Sequence, residues 1–285
     1  MSHLGDRDAR AARRAIAQDT VTFCTQGWYT SPANGSQVSL PIAEAVGTTQ
    51  FYSHATLPPL SRNQTPATAS AQQQLQAIRS GVIAVAEALT RNAPEERIGV
   101  LNFASARHPG GGFLKGANAQ EESIARCTGL YPCLASKQAA AFYTNNSARA
   151  VRGIYTDGVI VSPSVPLFRH ENGELLLSPR RLCIVTCPAP NLGAMDDNTE
   201  VAAAVAMQRR MVRVLHLFAV TGCETVVLGA WGCGVFKHDP AKIAVQWQQL
   251  LGRGGQFAGL FRRVIFAVHD SEMCAVFQRF FTSSG

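Results

Sequence analysis

The chain has 285 residues, of which 46% are hydrophobic and 16% are charged, so it can form a sizeable core and is too apolar for an intrinsically disordered protein. The 26 basic and 19 acidic residues give a net charge of +7, which favours an anionic partner such as a nucleotide, a nucleic acid or a phosphate polymer. No run of basic residues interleaved with aromatics indicates sequence-specific nucleic-acid recognition, and a solvated basic face remains an alternative explanation of the charge.

Neither a membrane span nor a secretory signal is predicted. No stretch approaches the roughly 20 continuous apolar residues that a span needs, and the charged N-terminal segment has no apolar run behind it, so we expect a cytoplasmic protein. The eight cysteines form no CxxC pair, and we expect buried, reduced thiols. Residues 170–174 (HENGE) begin like a zinc-binding HExxH motif but end in Glu and contain a turn-forming Asn-Gly pair. We therefore expect no metal and no cofactor.

The first part of the chain has the composition of a loop-rich leader. Residues 9–18 have a polar helical pattern, and residues 20–23 are predicted to form a short strand. Residues 28–70 are rich in Ser, Thr, Pro, Gly and Gln, which places the best domain boundary before residue 75. We therefore predict an N-terminal, mostly helical extension over residues 1–70, packed on a core domain over residues 71–285.

From that boundary onward, helical and strand patterns alternate. Helices are predicted at 74–91, 118–127, 133–142, 199–220, 240–251 and 271–281, and strands at 98–103, 158–161, 182–186, 225–229 and 263–268. The strands are uniformly apolar, as expected for strands buried on both faces. This alternation predicts an α/β layered sheet, in which ligands bind at the carboxyl ends of the strands.

A glycine triplet at 110–112 follows the strand at 98–103 and precedes the helix that begins near residue 118. Without Cβ atoms, the backbone N–H groups of such a loop can approach and wrap an anion, and the positive end of the helix would assist. The triplet is neither a Walker A loop nor a GxGxxG fingerprint. A flexible turn without a ligand remains the alternative.

Two adjacent carboxylates, Glu121 and Glu122, lie one short loop after the triplet. They have a structural explanation, because Asn118 and Glu121 have capping-box spacing and Glu122 and Arg126 have the spacing of a helical ion pair. They also have a chemical one, because crowding and burial beside a bound anion would raise the pKa of one of them. That carboxyl would then be a proton donor near neutral pH.

A second loop of small residues spans 229–240, again between a strand end and a helix start. Two such loops could clamp a diphosphate, with Phe236 packed on a sugar and Val235 closing the pocket, although Phe236 could equally be a core aromatic. Cys233 is a weak candidate nucleophile, because only His238 is near it in sequence. The proline-stiffened segment 187–191 is either a rigid turn or a pocket wall at the same edge.

The combination is more specific than its parts. The triplet GGG at 110–112, a seven-residue spacer, QEE at 120–122 and the loop GAWGCGVF at 229–236 resemble the signature of the poly(ADP-ribose) glycohydrolase (PARG) family. The chain is similar to the microbial-type members of that family from about residue 10 onward, more loosely over the first 70 residues. The resemblance implies a macro domain, which is a three-layer α/β/α sandwich with a mixed sheet, here with the helical N-terminal extension.

The resemblance also implies roles for individual residues. Glu122 is similar to the catalytic acid of the family, and Glu121 to the neighbour that holds the ribose hydroxyls. The implied diphosphate loops are 110–112 and 234–236, with Phe236 against the terminal ribose. The implied ADP-ribose-binding residues are Asn102, Gly110, Gly111, Gly112, Phe113, Gln120, Gly232, Gly234, Val235 and Phe236.

The implied reaction is metal-independent hydrolysis of the ribose–ribose bond of poly(ADP-ribose), with ADP-ribose as product and ADP-ribosylated macromolecules as substrates. Glu122 would protonate the leaving oxygen and then take a proton from water. A monomer without membrane contacts is expected. The alternatives are removal of a single ADP-ribose from protein or nucleic acid, and a module or nucleotide-binding scaffold that binds ADP-ribose without cutting it. The carboxylate pair favours catalysis, because a binding module does not require it.

Overall fold

The computed structural model describes residues 2–60, 73–148, 152–196 and 199–281, and the side chains from residue 7 onward. The helices are α1 (Ser2–Gln26), α2 (Ile42–Thr48), α3 (Val82–Asn92), α4 (Gln120–Cys127), α5 (Leu130–Leu134), α6 (Ala140–Ser147), α7 (Glu200–Val220), α8 (Pro240–Leu251) and α9 (Ser271–Gln278). The strands are β1 (Trp28–Thr30), β2 (Gln37–Ser39), β3 (Gln50–Tyr52), β4 (Gln74–Ile78), β5 (Ile98–Phe103), β6 (Val159–Arg169), β7 (Leu175–Cys187), β8 (Thr225–Leu228) and β9 (Arg263–Ala267).

A mixed sheet in the order β3-β6-β7-β5-β8-β9-β4 forms the middle layer. The strands from β7 to β4 in that order run parallel, and β6 pairs antiparallel with both of its neighbours. Leu101 of β5 packs on the side of α7 and α8, whereas Val100 packs on the side of α3 and α4. Both faces of the sheet are therefore covered, which explains the uniformly apolar strands and confirms the α/β/α prediction.

Two predicted elements at the N-terminal side are wrong. Residues 74–91 are not one helix: residues 74–78 form the edge strand β4, which pairs in parallel with β9, and α3 begins only at Val82. Residues 20–23 are not a strand but the end of α1, where the hydroxyl of Thr22 donates to the carbonyl oxygen of Gln18 at 3.0 Å. That bond accommodates a β-branched, polar residue inside a helix.

Predictions farther along the chain are closer to the structure. Helix α8 begins at Pro240 after the N-cap Asp239, whose carboxylate accepts the N–H of Ala241 at 2.7 Å, as predicted. Residues 170–174 form the turn between β6 and β7, and Gly173 there has a φ of 97°. Helix α7 spans 21 residues. Within the described ranges, no helix combines the length and apolarity that crossing a bilayer requires.

The N-terminal region contacts the rest of the molecule at several places. Strand β3 lies at one edge of the main sheet beside β6, and Tyr29 donates its hydroxyl to the carbonyl oxygen of Leu176 at 2.7 Å. The side chain of Tyr29 stacks on that of Phe168, with ring centroids 5.9 Å apart. The predicted boundary at residue 70 lies outside the described residues.

Candidate active site

Three loops meet at the carboxyl ends of β5, β7 and β8, where the sequence predicts a ligand site. Residues 104–112 follow β5, residues 188–191 follow β7 and residues 229–239 follow β8. Between them lies a cavity of about 430 Å³, which we call the glycine-loop cavity. Its lining residues are 103–108, 119–122, 230–232 and 234–236, together with Tyr155 and Ala189.

The glycine triplet turns tightly beneath this cavity. Gly110 and Gly111 have φ angles of 68° and 59°, which favour glycine because other residues are strained there. The N–H of Gly111 donates to the carbonyl oxygen of His108 at 2.9 Å, and the N–H of Gly112 donates to Oε1 of Glu122 at 2.7 Å. The structure therefore differs from the expectation that all three N–H groups wrap a phosphate, because the N–H of Gly111 is used within the loop and that of Gly112 binds the carboxylate of Glu122.

Glu122 is fixed at both carboxylate oxygens. Its Oε2 accepts the N–H of Ala119, the residue that caps α4, at 3.1 Å, and the side chain is only 7% exposed. The predicted capping register is wrong by one residue, because Glu122 and not Glu121 reaches back to the helix start. The predicted Glu122–Arg126 ion pair is also not formed, since Arg126 turns away to the Ala117 carbonyl oxygen at 2.6 Å and to Asn118 at 2.8 Å.

Glu121 lies deeper and is 3% exposed. Its Oε1 accepts from Nδ2 of Asn102 at 3.3 Å, and its Oε2 accepts the N–H of Ser105 at 2.6 Å. Burial raises the pKa of Glu121 to about 8, and the neighbouring carboxylate of Glu122 adds to the rise. The carboxyl with the raised pKa that the sequence led us to expect is therefore present at position 121.

The side chain of Gln120 ties the first turn of α4 to β5. Its Oε1 accepts the N–H of Phe103 at 2.9 Å, and its Nε2 donates to the carbonyl oxygen of Leu101 at 2.7 Å. These two bonds are those that another strand would make at this position. They place Glu121 and Glu122 directly beside the end of β5.

Two arginines of α1 hold the spacer between the glycines and the carboxylates. Arg10 and Arg13 of α1 donate to the carbonyl oxygens of Lys115 at 2.9 Å and Gly116 at 2.8 Å. Gly116 has a φ of 72°, and a Cβ there would collide with the backbone carbonyl of Arg10. Sequence reasoning missed this contact, because nothing in the spacing of the arginines indicates which backbone they reach.

The loop after β8 differs from the triplet in its free hydrogen-bond donors. The loop closes on itself through the N–H of Trp231, which donates to Gly229 at 2.8 Å, and the N–H of His238, which donates to Gly232 at 3.1 Å. The N–H groups at positions 232, 234, 235 and 236 donate to none of the described residues. Successive open N–H groups of this kind form an anion-binding concavity, so this loop can receive a phosphate group.

The alternative chemistry at Cys233 has no support in the geometry. Burial raises the pKa of its thiol to about 12, so the thiol stays protonated at neutral pH. Nε2 of His238 donates instead to the carbonyl oxygen of Pro190 at 2.7 Å and so ties this loop to residues 188–191. Within the part of the chain that the structure describes, no cluster of three or more His, Cys, Asp or Glu could hold a metal ion.

The remaining predicted residues divide between the cavity and the core. Val235 is 77% exposed at the mouth of the cavity, and Phe236 is half-buried. Phe113 is fully buried and packs against Tyr131 with ring centroids 5.2 Å apart, so its side chain does not line the cavity. Asn102 is also fully buried and contacts Glu121 rather than the cavity. No sequence pattern indicated Tyr155, which does line the cavity.

A second cavity of about 560 Å³ adjoins the first. It shares five lining residues with the glycine-loop cavity, namely Phe103, Ala119, Gln120, Ala230 and Gly234. From there it extends to the start of α3 and to residues 267–270 at the end of β9. The two cavities together can accommodate an elongated ligand that passes the open loop in its middle.

Comparisons with known proteins agree with this geometry. The family model of the microbial-type PARG catalytic domain matches residues 17–170, just over half of the chain. The poly(ADP-ribose) glycohydrolase of Thermomonospora curvata is 40% identical with a TM-score of 0.88, and the match covers 95% of this chain and 100% of that one. The structure of that enzyme with the inhibitor ADP-HPD has a TM-score of 0.83 at 40% identity and the same coverage.

The poly(ADP-ribose) glycohydrolase of Deinococcus radiodurans in complex with ADP-ribose is 37% identical with a TM-score of 0.78, and the match covers 87% of this chain and 100% of that one. Among curated protein sequences, none matches. The family model and the near-complete coverage at these identities lead to one assignment: the chain belongs to the microbial-type poly(ADP-ribose) glycohydrolase family.

Proposed function

We propose that this protein hydrolyses the ribose–ribose O-glycosidic bond of poly(ADP-ribose) and releases ADP-ribose, with Glu122 as general acid and base. The observation that carries the proposal is the position of Glu122. Both of its oxygens are held by backbone N–H groups at a cavity that also contains the raised-pKa carboxyl of Glu121. The fold around this cavity matches that of a family member whose structure contains ADP-ribose.

ADP-ribose must bind in one direction, because its terminal ribose has to reach Glu122. The terminal ribose lies in the glycine-loop cavity near Glu122, and the adenosine extends into the adjoining cavity. The diphosphate between them meets the open N–H groups of residues 232–236, where backbone dipoles face its negative charge. The net charge of +7 favours the approach of a polyanion.

The two carboxyls supply the proton that bond cleavage requires. A Cβ placed on Gly111 would lie 2.5 Å from Oε1 of Glu122 and 3.0 Å from Oε2 of Glu121, so both carboxyls converge on the same point. Because the pKa of Glu121 is about 8, this pair retains a proton at neutral pH. That proton is on Glu122 when it protonates the leaving 2′-oxygen, and Glu122 recovers a proton from the attacking water.

Positive charge develops on the anomeric carbon as the bond breaks. We expect the bound diphosphate and the ionised carboxylate to stabilise this charge electrostatically. No step of this scheme requires a metal ion, so we expect EDTA to leave the rate unchanged. A strong inhibition by EDTA would instead indicate metal-dependent removal of ADP-ribose.

The experiment is incubation of the protein with labelled poly(ADP-ribose), followed by thin-layer chromatography. We expect release of ADP-ribose by the wild-type protein, and no release by Glu122→Gln, which retains ADP-ribose binding. Full activity in Glu122→Gln would contradict the proposal. Binding without release by the wild type would indicate a non-catalytic module, and release only from singly modified protein would indicate a mono-ADP-ribosyl hydrolase.

Four further features of the protein are also proposed. The α/β/α layers are a macro domain, and residues 1–70 are an extension packed on the catalytic residues 71–285. The protein is a cytoplasmic monomer. Limited proteolysis tests the extension, gel filtration tests the monomer and fractionation of the native cells tests the location.

A further inference from the structure

Two residues other than glycine have positive φ angles in the described part of the chain, and both lie beside the same ring. Tyr155 has a φ of 59° and Lys237 a φ of 65°. Lys237 directly follows Phe236, and the ring of Tyr155 lies 6.3 Å from that of Phe236 at an angle of 45°. Such angles cost about 1 kcal/mol or more for a residue with a Cβ, and they persist where the surroundings enforce them.

A buried arginine enforces the conformation of Tyr155. Arg210 of α7 is fully buried, and its guanidinium donates to the carbonyl oxygen of Tyr155 at 3.0 Å and also to that of Ile154. The same group donates to Asp157 at 3.0 Å and to the carbonyl oxygen of Pro188 at 3.0 Å. The side chain of Arg210 thus joins residues 154–157 to the segment 188–191 that follows β7.

The segment is also held on its other side. Oδ1 of Asn146 accepts the N–H of Thr156 at 2.7 Å and its hydroxyl at 2.9 Å, and the carbonyl oxygen of Gly153 accepts the N–H of Asn191 at 2.7 Å. Tyr155 itself is half-buried, lines the glycine-loop cavity, and makes no side-chain hydrogen bond to the described residues. A rigid backbone therefore presents the ring to the cavity, and its hydroxyl is available for a ligand.

We propose that Tyr155 is a further substrate-contacting residue, whose ring forms with Phe236 one aromatic wall that packs on the terminal ribose of the bound chain end. Arg210 is then a positioning residue that acts through the backbone of Tyr155. This inference rests on the proposed function. An aromatic ring packs on the apolar face of a sugar, and two such rings on a rigid backbone bind it at a low cost in conformational entropy.

The test compares ADP-ribose, which has the terminal ribose, with ADP, which lacks it. Affinities are measured by calorimetry in the Glu122→Gln background for Tyr155→Asn and Tyr155→Phe. Asn tolerates positive φ angles and removes the ring, whereas Phe keeps the ring and removes only the hydroxyl. We expect Tyr155→Asn to bind ADP-ribose about tenfold more weakly and ADP as before, and Tyr155→Phe to resemble the parent.

Equal affinity of the parent and Tyr155→Asn for ADP-ribose would overturn the inference, as would an equal loss for ADP and ADP-ribose. The wall also predicts coupling: Phe236→Leu weakens ADP-ribose binding less in the Tyr155→Asn background than alone. Additive losses would contradict a shared wall.

Arg210→Lys tests the positioning role. We expect it to weaken ADP-ribose and not ADP, with no further loss when it is combined with Tyr155→Asn. If this variant does not fold, Asp157→Asn, which removes the negative charge facing Arg210, is measured in the same way. An unchanged ADP-ribose affinity in the folded variant would refute the positioning role. Wild-type protein that neither binds ADP-ribose nor cuts the polymer would refute the proposed function itself, whereas active wild type with a normal Tyr155→Asn refutes only this inference.

Discussion

The two glycine loops at the cavity are alike in sequence and opposite in use. In the triplet at 110–112, the N–H of Gly112 holds the carboxylate of Glu122 at 2.7 Å, and the N–H of Gly111 donates to the carbonyl oxygen of His108. The loop after β8 leaves the N–H groups at 232 and 234–236 open at the cavity. A backbone nest binds whichever anion is near, and in the first loop that anion belongs to the protein. In the proposed mechanism the first loop therefore orients the acid, and the second binds the ligand.

Among the variants that keep both carboxyls, the largest effect is expected from Gly111→Ala. The added Cβ would be forced into a strained backbone conformation and would lie 2.5 Å from Oε1 of Glu122, so the carboxylate must move. Displacing a catalytic group by about 1 Å costs on the order of 100-fold in kcat. Steady-state hydrolysis of labelled polymer measures the loss, and circular dichroism checks the fold.

Gly234→Ala is the comparison variant in the second loop. A Cβ at this position meets nothing within 4 Å, so it leaves the carboxyls in place and can only crowd the ligand. We therefore expect a change in KM rather than in kcat. If both glycine variants lowered kcat equally, the two loops would not have different roles.

The pH dependence of the rate examines the carboxylate side of the comparison. Because burial raises the pKa of Glu121 to about 8, the pair loses its proton as the pH rises through that value. We expect kcat/KM to fall about tenfold per pH unit above pH 8, as for the loss of one essential proton. The residual rate of Glu121→Gln should lack this decline, and a wild-type profile that stays flat to pH 10 would contradict the shared proton.

Removing one open donor examines the ligand side. Val235→Pro deletes one N–H from the second loop, whereas Val235→Ala changes the side chain alone. A hydrogen bond to a charged group is worth about 1.5–3 kcal/mol, so we expect ADP to bind at least about tenfold more weakly to the proline variant. Calorimetry measures the affinity, and equal affinities of the two variants would show that this N–H does not meet the phosphate.

The smallest effect is expected where α1 supports the spacer. Arg10→Ala combined with Arg13→Ala removes both bonds to the spacer carbonyls, which loosens the acid without touching it. We expect kcat to fall about fivefold with KM unchanged. Arg7→Ala, an exposed arginine on the same helix, is the control. An equal fall in the control would attribute the effect to the net charge.

The motifs of the candidate site could be predicted from sequence because they are local. The triplet, the adjacent carboxylates and the second loop each follow a strand end, and strand ends of a parallel sheet meet at one edge. The strand β4 was hidden because Leu75 and Ile78 have helical spacing with Val82 across a strand, a turn and a helix. Only the pairing of β4 with the distant β9 decides between the two readings.

The sequence does not predict the long-range contacts that fix backbone angles and hydrogen-bond partners. The bond from Arg13 to Gly116 and the clamp of Arg210 on Tyr155 join residues that lie far apart in the chain. Arg126 is a similar case. Its helical spacing predicted an ion pair with Glu122, but its guanidinium donates to the carbonyl oxygen of Ala117.

A crystal structure of the Glu122→Gln variant with ADP-ribose tests the central claim most directly. The account predicts a diphosphate within hydrogen-bond distance of the N–H groups at 232–236, and residue 122 still bound to Gly112 and beside the anomeric carbon. A diphosphate seated on the N–H groups of 110–112, with residue 122 displaced from the sugar, would contradict it.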